Sequence, residues 1–302
     1  MKDKVTLVTA FFCINRGNWK KDKRSDRKYF DFFQYWSGIK NDLIVYIEDE
    51  SLKEEILATR ANLSGVKTEV VIVEDIFGED KNLYDGLKGV NYSQINAYRL
   101  LPHNPESVNP EYNYIMMMKY HLLMRAIREF QIVDNVAWID FGFDHGGENY
   151  SKDFFDFELK YQSDHVTMFS LFDVNQIDNL SPIDLILKME TIIQGSLVIG
   201  PVEKMELMAK DALEAQMNLN CCGIMDDDQI TLLMAYYKRK QNYKIIQCAW
   251  HTGLYYFKEN KIVEYKEQRN IKVYARKIKW LSIKLSCTLR VLKKLIKMSV
   301  PM

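Results

Sequence analysis

Cysteine is scarce in this chain of 302 residues, and the five present (Cys13, Cys221, Cys222, Cys248 and Cys287) form neither a CxxC pair nor a spaced framework. That excludes a disulfide-stapled secreted scaffold and fits a reducing compartment. Glycine and proline are few, at 13 and 6, and no low-complexity tract or internal repeat occurs. Long apolar runs are missing as well. No stretch of about 18 apolar residues exists to span a bilayer, and the opening "VTLVTAFF" is too short for a signal peptide. A soluble, cytoplasmic chain is expected. Acidic residues are absent from one region: residues 268–302 hold ten Lys/Arg and no Asp or Glu. The overall charge of zero therefore divides into a body of net −10 and a basic tail. Nucleic acid is not expected as a partner, because such domains carry their basic patch on the fold itself. The tail suits an anionic surface.

What is present, 47% hydrophobic and 27% charged residues, is enough for a core of ordinary size. "VTLVTAFF" (5–12), "DLIVYIED" (42–49) and "KTEVVIVE" (67–74) read as strands. So do "NVAWIDF" (135–141), "DHVTMFSLF" (164–172), "GSLVIGP" (195–201) and "YKIIQCAW" (243–250). Between them, Tyr29, Phe33, Trp36 and Ile39 recur at helical spacing, and a charged helix begins near Ser51. "NPEYNYIMMMKYHLLMRAIREF" opens on Pro-Glu and predicts a helix, after a looser region over 75–110. "EKMELMAKDALEAQMN" and "DDDQITLLMAYYKRKQ" predict two more. Strand and helix alternate, so the expected fold is α/β with a mostly parallel central sheet flanked by helices. One domain over 1–258 and a helical tail over 259–302 are expected.

Chemistry concentrates at "WIDFGFDHGG" (138–147), where an apolar strand runs out into Asp140, Asp144 and His145 among Gly142, Gly146 and Gly147. Open α/β sheets bind ligands just outside the carboxyl ends of their strands. Asp227 and Asp228 at a helix start and His251 after the last strand stand in comparable places. Carboxylates with an imidazole suit Mg²⁺ or Mn²⁺ holding substrate phosphates. Plainer readings exist for each. Asp140 can cap a turn, and Asp226 to Asp228 can cap a helix. His251 can be a satisfied core residue, and Arg16 shares a solvated run with Lys20, Lys21, Lys23 and Arg24. Met116 to Met118 read as helix core, Cys221 and Cys222 as core, and His103, His121 and His165 as structural or surface residues.

"VTLVTAFFCINRGNW", "YFDFFQYWSGIKNDLIVYIED", "NPEYNYIMMMKYHLLMRAI" and "AWIDFGFDHGG" together resemble the HtrL/YibB family over roughly residues 5–255. This bacterial family, whose reaction is poorly defined, is regarded as one of glycosyltransferases found with genes for surface-polysaccharide assembly. The resemblance implies a GT-A-like nucleotide-sugar-binding domain, in which an Asp-x-Asp motif at a strand end holds a metal-bound diphosphate. Asp140 matches the first Asp of that motif, but its third position is Gly142, so Asp144 or a distant ligand would have to substitute. His251-Thr252-Gly253 is similar to the late His-x-Gly that supplies a metal-binding imidazole in retaining galactosyltransferases, so Asp140, Asp144 and His251 are the implied metal ligands. "DDDQ" looks like the acidic helix start that faces donor sugar and acceptor, which makes Asp228, Asp227 and Gln229 the implied catalytic group. Arg16 is a candidate for the diphosphate, since guanidinium matches phosphate oxygens bidentately. Glu48 and Asp49 are placed for the base or ribose, with Lys119, Gly142 and Gly253 as further donor-binding candidates.

In the tail, Tyr274, Ile278, Leu281, Leu285, Leu289, Leu292 and Leu295/Ile296 recur every three or four residues among lysines and arginines. A basic amphipathic helix of this kind lies in an anionic membrane interface. The expectation is a metal-dependent glycosyltransferase of the hexosyltransferase class, peripheral at the cytoplasmic face of a bacterial inner membrane. It would move sugar from a nucleoside-diphosphate sugar, UDP-sugar favoured, to a lipopolysaccharide, capsule or lipid-linked glycan acceptor. A catalytically silent GT-A-like binding protein and a metal-dependent phosphohydrolase are the alternatives.

Overall fold

The apolar runs become strands close to where their patterning puts them. A computed structural model describes residues 3–19, 24–90, 95–96 and 98–265, and within 278–289 all but 284 and 287. Its strands are β1 (Val5–Phe11), β2 (Leu43–Ile47), β3 (Thr68–Ile72), β4 (Asn135–Ile139), β5 (Val166–Ser170), β6 (Ile193–Pro201) and β7 (Tyr243–Gln247). They form one sheet in the order β3-β2-β1-β4-β6-β5-β7. Pairing is parallel throughout except along β6, which is antiparallel to both β4 and β5. From β1 the chain steps outward through β2 and β3, then returns to β4 on the other side of β1. The strand order therefore reverses at the β1/β4 boundary, where a crevice opens outside the carboxyl ends of an α/β sheet.

Each face of the sheet has its own core. Val8 on β1 and Val136 and Trp138 on β4 point to one face, while Leu7, Ala137 and Ile139 point to the other, as the period of two requires. The first face is covered by α3 (Lys81–Gly89), α4 (Pro110–Glu129), α5 (Val202–Cys221) and α6 (Asp228–Lys238). On the second face lie α1 (Asp26–Trp36) and α7 (Leu254–Glu259), with α2 (Glu50–Arg60) adding Ile56. The region read as loose over 75–110 contains α3, which Asp80 caps by accepting from the Leu83 amide at 2.9 Å, with Leu83 and Leu87 buried. A helix this short shows too few turns for its periodicity to stand out.

Met117 and Met118 are core, as their helical spacing implies. Cys221 and Cys222 are not: they end α5 on its solvent side and are exposed. A helix's last turn has left the sheet, so apolar character there does not entail burial. Ile278, Leu281, Leu285 and Leu289 lie in helical backbone at 278–289 and are exposed. Tyr274, Leu292, Leu295 and Ile296, which continue that stripe in sequence, lie outside the described residues, as do Lys20, Lys21 and Lys23. Among the described residues no helix is long and apolar enough to cross a membrane.

Candidate functional site

A cleft of about 300 Å³ lies outside the carboxyl ends of β1 and β4, at the reversal of strand order. Asp140, the residue after β4, reaches into it and is 39% exposed. From the opposite wall comes Asp228, the first residue of α6, only 5% exposed. Between them stands Lys119 of α4, 4% exposed, its Nζ 2.6 Å from Asp228 Oδ2 and 3.4 Å from Asp140 Oδ1. The same ammonium donates to the Gly195 carbonyl at 3.1 Å, and Trp138 Nε1 donates to Asp140 Oδ1 at 2.7 Å.

The electrostatics follow from this packing. Burial alone would lower the Lys119 pKa, but Asp140 and Asp228 outweigh it and hold the amine above its ordinary value. For Asp228, burial pushes the carboxyl upward, while the ammonium opposes it. A helix N-terminus also favours the anion. Asp228 can come this close only because position 195 is glycine, where a Cβ would overlap its carboxylate.

Two histidines make the far wall. His145 and His251 meet edge to face with ring centroids 5.0 Å apart. Both have left-handed backbone, with φ of 47° and 58°, a conformation rare for residues other than glycine and concentrated at functional sites. Burial and the neighbouring His145 ring push the His251 pKa down to about 4, so its imidazole is neutral near pH 7. The His251 amide donates to Gln194 Oε1 at 3.0 Å, and the His251 Nδ1 is buried without a hydrogen-bond partner. Arg24 Nη1 lies 3.0 Å from His145 Nε2, and Glu148 Oε2 lies 3.4 Å from His145 Nδ1. At the mouth, Arg16 donates to the Tyr29 hydroxyl at 2.5 Å and lies over the Trp19 ring at 5.1 Å.

Asp140, Asp228, Gln229, Arg16, Lys119, Gly142 and His251 thus share one cleft. Asp144 does not join them. Fully buried, it accepts from the Asn149 amide at 2.9 Å, Asn149 Nδ2 at 2.7 Å and the Tyr150 amide at 3.2 Å. Its carboxylate fastens the loop after β4, away from the cleft lining where the implied metal ligand would stand. Gly142 stands where an Asp-x-Asp has its second carboxylate, and a Cβ there would meet the Tyr29 ring tightly, at 3.1 Å. Glu48 and Asp49 also lie outside the cleft. Glu48 Oε1 accepts from the Cys13 amide at 2.6 Å, and Asp49 caps α2 by accepting from the Ser51 amide at 2.8 Å. Gly253 packs behind His251, where a Cβ would press on the Phe169 ring at 2.7 Å. Asp227 caps α6 through Gln229 and, with Asp226 and Glu106, lines a smaller pocket beside the cleft. Among the described residues, no group of three His, Cys, Asp or Glu side chains is placed to hold a metal ion.

The structure adds Arg24, His145, Gln194 and Gly195 to the site. Only His145 carried a signal, its place inside the motif. Arg24 sits in an ordinary basic run, and Gly195 merely opens a strand.

A family model described as "Bacterial protein of unknown function (HtrL_YibB)" matches residues 3–259. Protein HtrL of Escherichia coli (strain K12) is 27% identical over 251 residues, covering 79% of this chain and 86% of that protein.

Proposed function

We propose, from the premise that the chain belongs to the HtrL/YibB family, that it transfers a sugar from a nucleoside-diphosphate sugar, UDP-sugar favoured, to a surface-polysaccharide or lipid-linked glycan acceptor. The observation that carries this reading is the convergence of Asp140 and Asp228 on Lys119 in a cleft at the sheet's switch point. Such a crevice suits a nucleotide, and the GT-A-like α/β sheet provides it. Glycosyl transfer builds positive charge at the anomeric carbon, which a fixed carboxylate stabilises. Asp228 fills that role, kept in place by the ammonium and aided by the helix dipole. Gln229 beside it contacts sugar hydroxyls. The more exposed Asp140 faces the open cleft and is placed to accept the acceptor's proton. Arg16 and Arg24 line the cleft and offer guanidinium donors to the leaving diphosphate.

The exposed apolar residues Ile278, Leu281, Leu285 and Leu289, in a segment rich in Lys and Arg, support a location on an anionic membrane surface, in this reading the cytoplasmic face of the inner membrane. A lipid-linked acceptor is met there.

The test is nucleoside-diphosphate release from a panel of nucleotide sugars, with and without glycan acceptors. Acceptor-dependent release is expected, reduced about 10²–10⁴-fold in Asp228→Asn without loss of the folded state. Nucleotide binding with no turnover against any acceptor would instead make this a silent binding protein. Release that no acceptor accelerates would make it a phosphohydrolase.

A further inference from the structure

Among the described residues no three His, Cys, Asp or Glu side chains converge as a donor set for a divalent cation, although the resemblance implies one. Of the implied ligands, His251 lines the cleft and offers a buried ring nitrogen without a hydrogen-bond partner. Both Asp144 oxygens are committed to Asn149 and Tyr150. The place of the second Asp-x-Asp carboxylate is held by Gly142, which carries no donor atom and packs tightly under the Tyr29 ring. His145 has Arg24 at one ring nitrogen and Glu148 at the other. Asp140 and Asp228, the two carboxylates that do converge, already share a cation. Lys119 Nζ is held by Asp228 at 2.6 Å, Gly195 O at 3.1 Å and Asp140 at 3.4 Å, and the side chain is 4% exposed. A metal bridging that pair would have to sit against the buried Lys119 ammonium, where the lowered dielectric strengthens their repulsion.

We propose that this site binds the diphosphate of its donor without a divalent cation. Lys119 offsets one charge of the acidic pair from within, and Arg24, together with Arg16, supplies the positive charge that meets the phosphates. The inference rests on the donor-site reading above but concerns how that site handles charge. Arg24 suits the task by position: it lines the cleft and contacts His145, and its guanidinium lies about level with the Tyr29 and Phe32 rings, at 5.9 and 6.0 Å from their centroids. Aromatic faces orient a guanidinium without consuming its hydrogen-bond donors, so those of Arg24 other than the one at His145 are left for phosphate oxygens. The neutral His145 beside it takes no charge away.

The experiment is calorimetric titration of the full-length protein with UDP, ADP, GDP and CDP, each in excess EDTA and again in millimolar Mn²⁺. Electron paramagnetic resonance of Mn²⁺ with protein alone is the parallel readout. At least one nucleoside diphosphate is expected to bind with the same affinity in both buffers, within about threefold, and the free Mn²⁺ signal should be unchanged by protein. Arg24→Gln should weaken that binding roughly tenfold or more in EDTA, the loss of a charge-assisted hydrogen bond. Binding that appears only with Mn²⁺ overturns the metal-free inference and leaves the donor site standing. Unchanged affinity in Arg24→Gln overturns the role given to that guanidinium. Binding of no nucleotide in either buffer overturns the donor site itself.

Discussion

Lys119 is the residue on which the site depends, because among the described residues it is the one buried cation shared by two carboxylates from different elements. Removing one member of a buried ion pair leaves an uncompensated charge, which costs about 3–5 kcal/mol. Lys119→Met keeps the length and apolar stem, so the loss in chemical denaturation should be of that size and assignable to charge. Adding Asp228→Asn should restore a large part of it, and a double-mutant cycle measures the coupling. If the two substitutions prove additive, the ion pair contributes nothing of its own. Lys119 is a donor-binding candidate in the sequence, although nothing in its helix pattern names the carboxylates it joins. Only its neighbours Met118 and Tyr120, both buried, hint that position 119 faces inward.

At the scale of elements, the site exists because β6 and α6 are packed with almost no clearance. Gly195 opens the way for Asp228, and the Tyr120 hydroxyl fastens the start of α6 by donating to the Asp228 carbonyl at 3.2 Å. Gly195→Ala forces a methyl group into the Asp228 carboxylate. Overpacking of this kind costs about 1–3 kcal/mol. The expected outcome is a lowered melting temperature together with weakened nucleotide-sugar turnover, read by denaturation and by diphosphate release. Turnover at the wild-type rate would mean that Asp228 is not held where transfer needs it. The strands were legible from apolar alternation and the long helices from three- and four-residue spacing. The direction of β6 was not. Patterning says that a strand is buried, but which way it runs depends on the connections between elements.

At the scale of the whole molecule, stability should depend on pH through His251. Its folded pKa, about 4, lies below its ordinary 6.5, so between these values the unfolded chain binds more protons. The stabilisation is complete above pH 6.5 and is lost as pH falls towards 4, by up to about 3 kcal/mol. Asp226, pushed up to about 7 by burial, acts in the opposite sense, favouring the fold at low pH and losing that contribution as pH rises through 7. The His251 contribution is therefore read as the difference in unfolding free energy between wild type and His251→Asn over pH 4–7, asparagine being tolerant of left-handed backbone. Equal pH slopes for the two proteins would refute it. The tail offers a separate prediction. The full chain should sediment with vesicles containing anionic lipid and release in high salt, at ~1 kcal/mol per basic residue near the surface. Leu281→Glu with Leu285→Glu should weaken that association and leave diphosphate release from the nucleotide sugar, with soluble acceptors, unchanged. Binding to neutral vesicles as strong as to anionic ones would sink the electrostatic part. The sequence by itself determined the α/β class, the strand that ends at Asp140 and the basic amphipathic tail, because periodicity and charge runs are local properties of a chain. Only the tertiary structure decided that Asp144 belongs to its own loop, that Glu48 and Asp49 stand apart, that Lys119 joins Asp140 to Asp228, and that Arg24 belongs to the cleft. Those outcomes depend on which atoms compete for each polar group across tens of residues, and no local pattern encodes that competition.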